Sequence, residues 1–199
     1  MSGDDLFSMA DERSGREYAP LAVRMRPESL DDVYGQDELI GPGSFLRMMI
    51  ERDTIPSLLF YGPSGVGKTT LAHVIATETD SRFVTLNAVT AGTAELRKVI
   101  AAAKEAVHLY QKRTILFIDE IHRLPKTVEE ILYSAMEDYA LDIIIGKGPA
   151  ARSVRLDLPR FTLIGATTRM GSVAAPLRDR FGVICHLEFY TAEELQIAS

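Results

Sequence analysis

A glycine-rich stretch in the first half of the sequence has the residue types and spacing needed to bind phosphate. Gly62-Pro-Ser-Gly-Val-Gly-Lys-Thr69 fits the pattern G-x-x-x-x-G-K-[ST]. Glycines let the backbone wrap around phosphate oxygens with its amides pointing inward, and the following helix adds its positive N-terminal dipole. Lys68 would reach the β- and γ-phosphates of a nucleotide, and the Thr69 hydroxyl would ligate Mg²⁺. The residues predicted to bind ATP here are Gly62, Gly65, Gly67, Lys68, Thr69 and Thr70.

Two carboxylates follow an apolar stretch further along the chain, in the sequence Ile115-Leu-Phe-Ile-Asp119-Glu120. Mg²⁺ prefers substrate phosphates plus one or two protein carboxylates, so Asp119 is predicted to hold the ion together with Thr69. Glu120 is predicted to polarise a water for attack on the γ-phosphate, as a general base. The alternative is a solvated acidic pair at the end of a strand. Together with the glycine-rich loop, the pair favours Mg²⁺-dependent ATP hydrolysis.

The elements around these residues alternate between strand and helix. Helical patterns cover 69–77, 93–110 and 128–138, and Ser44 is predicted to cap an earlier helix. The five short apolar strands are Leu58–Tyr61, Arg82–Leu86, Thr114–Ile118, Thr162–Ala166 and Val183–Leu187. Alternation of this kind predicts an α/β fold in which a five-stranded parallel sheet is covered by helices on both faces.

One segment interrupts this alternation. Residues Leu141–Leu158 contain two β-like arms on either side of Gly146-Lys-Gly-Pro, which predicts an inserted β-hairpin. The first arm carries three consecutive isoleucines, Ile143 to Ile145. Two interpretations stay open. The hairpin either folds onto its own domain, or it protrudes with an exposed apolar tip that serves as a docking surface.

Length and composition limit the remaining possibilities. The 199 residues fit one domain, predicted as a loose arm over 1–19, a large domain over 20–190 and the start of a further helix over 191–199. A net charge of −6 argues against a field over the whole protein that attracts nucleic acid. No apolar run reaches the length of a membrane span, and the first residues lack the order of a signal peptide. The single cysteine, Cys185, suits a reducing cytoplasm and is expected to be an apolar strand residue.

These motifs in this order, with Thr167-Thr168 closing a strand and an arginine downstream, resemble the AAA+ superfamily. The stretches DEIHRL, VEEILYSAMEDYALDIIIGKGPAARSVRLDLPRFTLIGATTR, APLRDRFGV and LEFY are very similar to the RuvB family, from about residue 115 to 194. That resemblance implies an ATP-driven motor of the DNA helicase type that moves branched DNA such as Holliday junctions in recombination and repair. It also implies a homo-oligomeric ring, expected to be a hexamer, and a hairpin that docks onto a RuvA-like junction-binding protein.

The front part of the chain resembles a different family. DDLFSMADE, PLAVRMRPESLDDVYGQDELIGPGSFLR and NAVTAGTAELRKVIAAAKEA are similar to RarA, which is associated with stalled replication forks. The chain is therefore interpreted as a mosaic whose two parts meet near the shared Asp-Glu pair. A RarA-like fork-maintenance ATPase is the alternative function.

The AAA+ and RuvB resemblance assigns roles by position. Thr168 matches the polar sensor of the γ-phosphate, and Arg180 matches the finger inserted into a neighbouring subunit's ATP site, which stabilises charge in the transition state. Arg178 is the rival for that role, and a surface ion pair with Asp179 or Glu188 is the alternative for either arginine.

Other positions match residues near the nucleotide. Met25 and Arg26 match the segment near the adenine, and Tyr190 matches an aromatic residue at the hinge. Glu137, Asp138 and Tyr139 match nucleotide-proximal residues at the subunit interface. His122 completes a D-E-x-H string, with a structural or a coupling role.

The resemblance also sets an expectation about what lies beyond Ser199. AAA+ proteins continue into a helical lid, and the RuvB family adds a winged-helix DNA-binding domain; neither is found in this sequence. The chain is therefore expected to be either a fragment or a truncated relative with impaired turnover. A third possible function follows from this expectation, namely a catalytically impaired ATP-binding module that joins rings.

Overall fold

The computed structural model describes residues 27–145 and 152–190. The predicted arm over 1–19, Met25, Arg26 and the predicted helix start over 191–199 lie outside the described residues. The helices are α1 (Asp37–Ile40), α2 (Phe45–Glu51), α3 (Lys68–Glu78), α4 (Thr93–Tyr110), α5 (Lys126–Asp138) and α6 (Ala175–Arg178). The strands are β1 (Leu58–Tyr61), β2 (Arg82–Asn87), β3 (Thr114–Asp119), β4 (Ala140–Ile145), β5 (Arg152–Asp157), β6 (Thr162–Thr167) and β7 (Val183–His186).

Five strands form one parallel sheet in the order β2-β3-β6-β1-β7. The predicted five-stranded parallel sheet with helices on both faces is confirmed. Strand β1 lies between β6 and β7, and β6 also pairs with β3. Because the strands are parallel, the carboxyl ends of β1, β3 and β6 meet at one edge, which is where ligands bind in open α/β sheets.

The continuous apolar runs of the strands serve two cores, one on each face of the sheet. Successive strand residues point to opposite faces. Leu58 and Phe60 therefore belong to the core beneath α2 and α3, whereas Leu59 belongs to the core beneath α4 and α5. Cys185 is buried in the first of these cores, and burial raises the pKa of its thiol to about 11, so it stays protonated at neutral pH.

The predicted hairpin is also confirmed. Strands β4 and β5 pair antiparallel in a separate two-stranded sheet, with Ala140 opposite Asp157 and Ile145 opposite Arg152. Leu141 and Leu158 at its base are buried in the α4–α5 core. The predicted turn at 146–149 and the side chains of the three isoleucines lie outside the described part of the structure.

The N-terminal cap of α2 is as predicted, because the Ser44 hydroxyl accepts a hydrogen bond from the Arg47 amide at 3.3 Å. No helix among the described residues is both long enough and apolar enough to cross a membrane.

Candidate active site

The glycine-rich loop connects the end of β1 to the start of α3. At two of its glycines, neighbouring atoms leave no room for a Cβ atom. A Cβ atom on Gly62 would lie 2.1 Å from the carbonyl oxygen of Leu187, just after β7. A Cβ atom on Gly67, which has a positive φ of 87°, would lie 2.8 Å from the hydroxyl of Tyr190. The segment after β7 therefore packs directly against the loop, which brings Tyr190 beside it.

Lys68 begins α3 and is almost fully buried, with 8% of its surface exposed. Its ammonium group donates hydrogen bonds to the carbonyl oxygens of Gly62 at 2.8 Å and of Pro63 at 2.5 Å. Burial lowers the pKa of Lys68 below its ordinary value, and the nearby carboxylates of Asp119 and Glu120 act in the opposite direction. The loop thus holds a positive charge whose partners are carbonyl oxygens.

A cavity of about 300 Å³ opens beside this lysine, large enough for a triphosphate group with its ion. It brings together eight of the sixteen residues predicted from the sequence for the ATP site. Its lining consists of Ser64, Gly65, Gly67, Lys68, Thr69, Thr70, Asp119, Glu120 and Thr168. The predicted phosphate loop, acidic pair and polar sensor therefore form one site, although they come from three separate stretches of chain.

Glu120 directly follows β3 in a left-handed conformation with a φ of 51°. Its backbone amide donates to the carboxylate of Asp119 at 3.0 Å. The Thr168 hydroxyl donates to Oε1 of Glu120 at 3.5 Å, and Nε2 of His122 lies 3.4 Å from Oε2. The turn after β3 thus gives the Glu120 carboxylate two polar neighbours, Thr168 and His122.

The contact between His122 and Thr167, next to Glu120, was not predicted from the sequence. Nδ1 of His122 lies 2.8 Å from Oγ1 of Thr167, the last residue of β6, which is completely buried. The only signals in the sequence were the D-E-x-H string and the pair of threonines. Nothing in their spacing indicated that the two would meet.

Arg180 lies outside the cavity lining. Its guanidinium forms an ion pair with Glu137 at 2.6 Å, lies 4.7 Å from the ring centroid of Tyr133 and donates to the carbonyl oxygen of Pro176. Among the described residues its buried Nε has no hydrogen-bond partner. The ion pair considered from the sequence, with Asp179 or Glu188, is therefore wrong for Arg180, because the fold brings α5 alongside it. Arg178 is the arginine near Asp179, at 3.9 Å.

The remaining predicted residues do not line the cavity either. Asp138 pairs with Arg155 of the hairpin at 3.1 Å, and Tyr139 lies edge-on to Phe161 with Arg160 over its ring. Both lie at the end of α5, near Glu137 and hence on the Arg180 side of the domain. Their nucleotide-binding roles stay predictions.

The donor set in the cavity fits a magnesium nucleotide. The loop supplies backbone amides and the buried ammonium of Lys68, Thr69 supplies a hydroxyl and Asp119 a carboxylate. Mg²⁺ takes oxygen ligands and usually only one or two from carboxylates. Thr69 and Asp119 would hold the ion, and the ion would neutralise charge on the phosphate oxygens.

A phosphate loop between β1 and a helix, an acidic pair at the end of β3, and a threonine just after β6, the strand between them, define a P-loop ATPase of the AAA+ class. A family model described as the Holliday junction DNA helicase RuvB P-loop domain matches residues 25–187. The chain belongs to the RuvB family.

Solved structures agree with this assignment. A mutant of RuvB from Thermotoga maritima is 40% identical with a TM-score of 0.71, over 86% of this chain and 52% of that one. Another structure, described as the Thermotoga maritima RuvB Holliday junction branch migration motor, is 38% identical with a TM-score of 0.69, over 87% and 52%. The chain thus spans about half the length of these relatives. The RuvB match begins at residue 25 and includes much of the stretch that resembled RarA, so the mosaic interpretation gains no support.

Proposed function

We propose that this chain is the ATP-hydrolysing part of a RuvB-type DNA motor, with Lys68, Asp119, Glu120, Thr168 and Arg180 as its working residues. The observation that carries the proposal is the single cavity that joins the phosphate loop to the acidic pair and to Thr168. Phosphoryl transfer needs positioning and charge stabilisation more than covalent chemistry from the protein. The cavity offers both, and its residues can be assigned separate tasks.

The proposed tasks follow from chemistry and position. Lys68 exchanges its carbonyl partners for phosphate oxygens, because a buried ammonium is better satisfied by an anion than by neutral acceptors. Asp119 and Thr69 hold Mg²⁺. Glu120 accepts the proton of the attacking water, and Thr168 orients that carboxylate and senses the phosphate.

Glu120→Gln tests the hydrolytic assignment. The amide keeps the shape of the side chain but cannot accept a proton, so ATP binding should persist while hydrolysis falls by about 100-fold or more. Binding is measured by titration calorimetry, and turnover by phosphate release. Glu130→Gln, a glutamate on α5 outside the cavity lining, is the matched control and should hydrolyse ATP at the wild-type rate. Normal turnover by Glu120→Gln would show that another group is the base.

The position of Arg180 supports a site shared between subunits. Arg180 does not line the cavity of its own chain, and 21% of its side chain is exposed. We therefore propose that it completes the ATP site of a neighbouring subunit in a ring, expected to be hexameric. Such a finger is typically worth about 10³- to 10⁵-fold in turnover. On reaching a phosphate it would leave Glu137, so the ion pair is a resting position for the arginine.

Branched DNA is the proposed substrate of the assembled motor, as for the Thermotoga maritima relative described as a Holliday junction branch migration motor. The net charge of −6 does not favour strong DNA binding by this chain alone, since few phosphates would be neutralised. Recruitment by a junction-binding partner of the RuvA type would meet this need, and the hairpin Leu141–Leu158 is the proposed docking element.

The described part of the hairpin supports docking. Val154 on β5 is 46% exposed, and it stands opposite Ile143 in the strand register. Val154→Asp should therefore weaken binding to RuvA while the melting temperature barely changes. Leu141→Asp is the contrasting variant, because Leu141 is buried and an unpaired charge there should destabilise the fold by several kcal/mol, roughly 3 or more. A pull-down read beside a thermal melt separates the two. Wild-type protein that fails to bind RuvA would refute the docking role.

A further inference from the structure

The Glu120 carboxylate is contacted on both of its oxygens by groups that depend on the end of β6. Thr168 donates to Oε1 directly at 3.5 Å. His122 approaches Oε2 at 3.4 Å and is itself held by Thr167 at 2.8 Å. Two adjacent threonines therefore act on the same carboxylate, one of them through a histidine ring.

His122 is well placed to transmit this constraint. Only 8% of its side chain is exposed, and it lies in the short 3-10 turn Ile121–Arg123 that follows Glu120. Its neighbour Thr167 is completely buried at the end of a central strand. The His122 ring thus lies between the buried end of β6 and the partly exposed carboxylate of Glu120.

The hydrogen bonds of Thr167 decide which ring nitrogen carries the proton. Oγ1 of Thr167 accepts a bond from the Arg169 amide at 3.0 Å and lies 2.8 Å from Nδ1 of His122, so Nδ1 is the acceptor within reach of its single proton. The opposite tautomer would leave that hydroxyl proton without an acceptor among the described residues. It would also turn the lone pair of Nε2 toward the negative charge of Glu120. The tautomer with its proton on Nε2 gives the Thr167 hydroxyl an acceptor and turns an N–H, rather than a lone pair, toward Glu120.

We propose that His122 is a positioning residue for Glu120, held by Thr167 in the tautomer that donates from Nε2. Its N–H fixes Oε2 while the Thr168 hydroxyl fixes Oε1, so the carboxylate plane is set by the end of β6. His122 is not among the residues that line the cavity. Its effect therefore passes through Glu120, and the inference rests on the proposed role of Glu120 in hydrolysis.

The first test measures the tautomer in the nucleotide-free protein, by ¹⁵N NMR of histidine rings. The chain has four histidines, and the signal that disappears in His122→Gln belongs to His122. We expect His122 of the wild-type protein at neutral pH to show an unprotonated Nδ1 and a protonated Nε2. Thr167→Val removes the donor and should mix the two tautomers, whereas Thr167→Ser keeps the hydroxyl and should preserve the wild-type signal. A protonated Nδ1 in wild type would overturn the assignment.

The second test separates positioning from binding. His122→Ala should lower kcat by about 10- to 100-fold, because misplacing a reacting group by about 1 Å can cost up to about 100-fold. The KM for ATP should stay near wild type, and the melting temperature should fall only modestly, because the buried Thr167 hydroxyl loses its acceptor. His122→Gln places an amide N–H where Nε2 stood and should recover most of the loss. An unchanged kcat in His122→Ala overturns the positioning role. If wild type itself does not turn over ATP, the proposed function fails, while the NMR result still decides whether Thr167 holds the ring.

Discussion

The buried environment of Lys68 favours an anionic ligand. Its ammonium is buried, and that burial lowers its pKa despite two nearby carboxylates. The ammonium is satisfied by the carbonyl oxygens of Gly62 and Pro63 within its own loop. An anion in the cavity would add a full opposite charge, which attracts a partly desolvated ammonium more strongly than the partial charge of a carbonyl oxygen does. The desolvation of Lys68 therefore favours a phosphate partner.

Replacing this lysine should remove nucleotide binding. Lys68→Ala deletes the buried positive charge of the loop, and we expect ATP binding to become undetectable by titration calorimetry. Lys98→Ala is the control, since Lys98 is an exposed lysine of α4 on the same chain and its loss changes the net charge equally. Wild-type affinity in Lys68→Ala would refute the phosphate-loop assignment, whereas a loss in both variants would point to a general charge effect.

At the level of elements, the phosphate loop depends on hydrogen bonds that join the end of β1 to the ends of β6 and β7, the strands on either side of it. The Leu187 amide donates to the Tyr61 carbonyl at 2.9 Å, and the Gly62 amide donates to the Thr167 carbonyl at 3.2 Å. Gly62 is thus enclosed by the ends of β6 and β7. It does not line the cavity, so its small size serves packing, whereas Gly65 and Gly67 face the proposed phosphates.

This difference can be tested with alanine. Gly62→Ala places a Cβ 2.1 Å from a backbone oxygen, which cannot move without displacing the segment after β7. We expect it to destabilise the fold by about 1–3 kcal/mol, the usual range for overpacking, and to lower the melting temperature. Gly171→Ala is the matched control, because no atom lies within 4 Å of its Cβ position. Equal melting temperatures for the two variants would contradict the packing role of Gly62.

The strands and the hairpin were predictable because their signals are local. Apolar runs such as Leu58–Tyr61 bury both faces, and glycine and proline mark the turns between the elements. The ends were predicted within a residue or two; β3, for example, runs to Asp119 rather than Ile118. The contact of His122 with Thr167 spans 45 residues of sequence, and no local pattern encodes it. The same applies to the ion pair between Arg180 and Glu137, which depends on how α5 packs beside the segment after α6.

At the scale of the whole molecule, Arg180 lies outside the lining of the cavity that is proposed to hold ATP. The cavity contains the loop, the acidic pair and Thr168, and no arginine of the described ranges 27–145 and 152–190 lines it. Arg180 is held by Glu137 and the Tyr133 ring instead. A subunit whose Arg180 lies outside its own ATP cavity suits head-to-tail assembly, in which each interface contains the cavity of one subunit and the arginine of the next. Heterologous interfaces of this kind form a ring when the rotation from one subunit to the next closes.

Mixing two inactive variants tests this arrangement. Arg180→Ala should bind ATP but not hydrolyse it, and Lys68→Ala should do neither. In a ring assembled randomly from equal amounts of both, about one interface in four joins an intact loop to an intact arginine, because each interface takes these parts from different subunits. Phosphate release should therefore recover to about a quarter of the wild-type rate when the variants are mixed, with assembly followed by light scattering. Lys68→Ala mixed with Glu120→Gln is the control and should stay inactive, since both changes damage the loop side of the interface. Turnover by wild-type monomers at a rate per subunit that does not depend on concentration would refute the shared site and return Arg180 to a structural role.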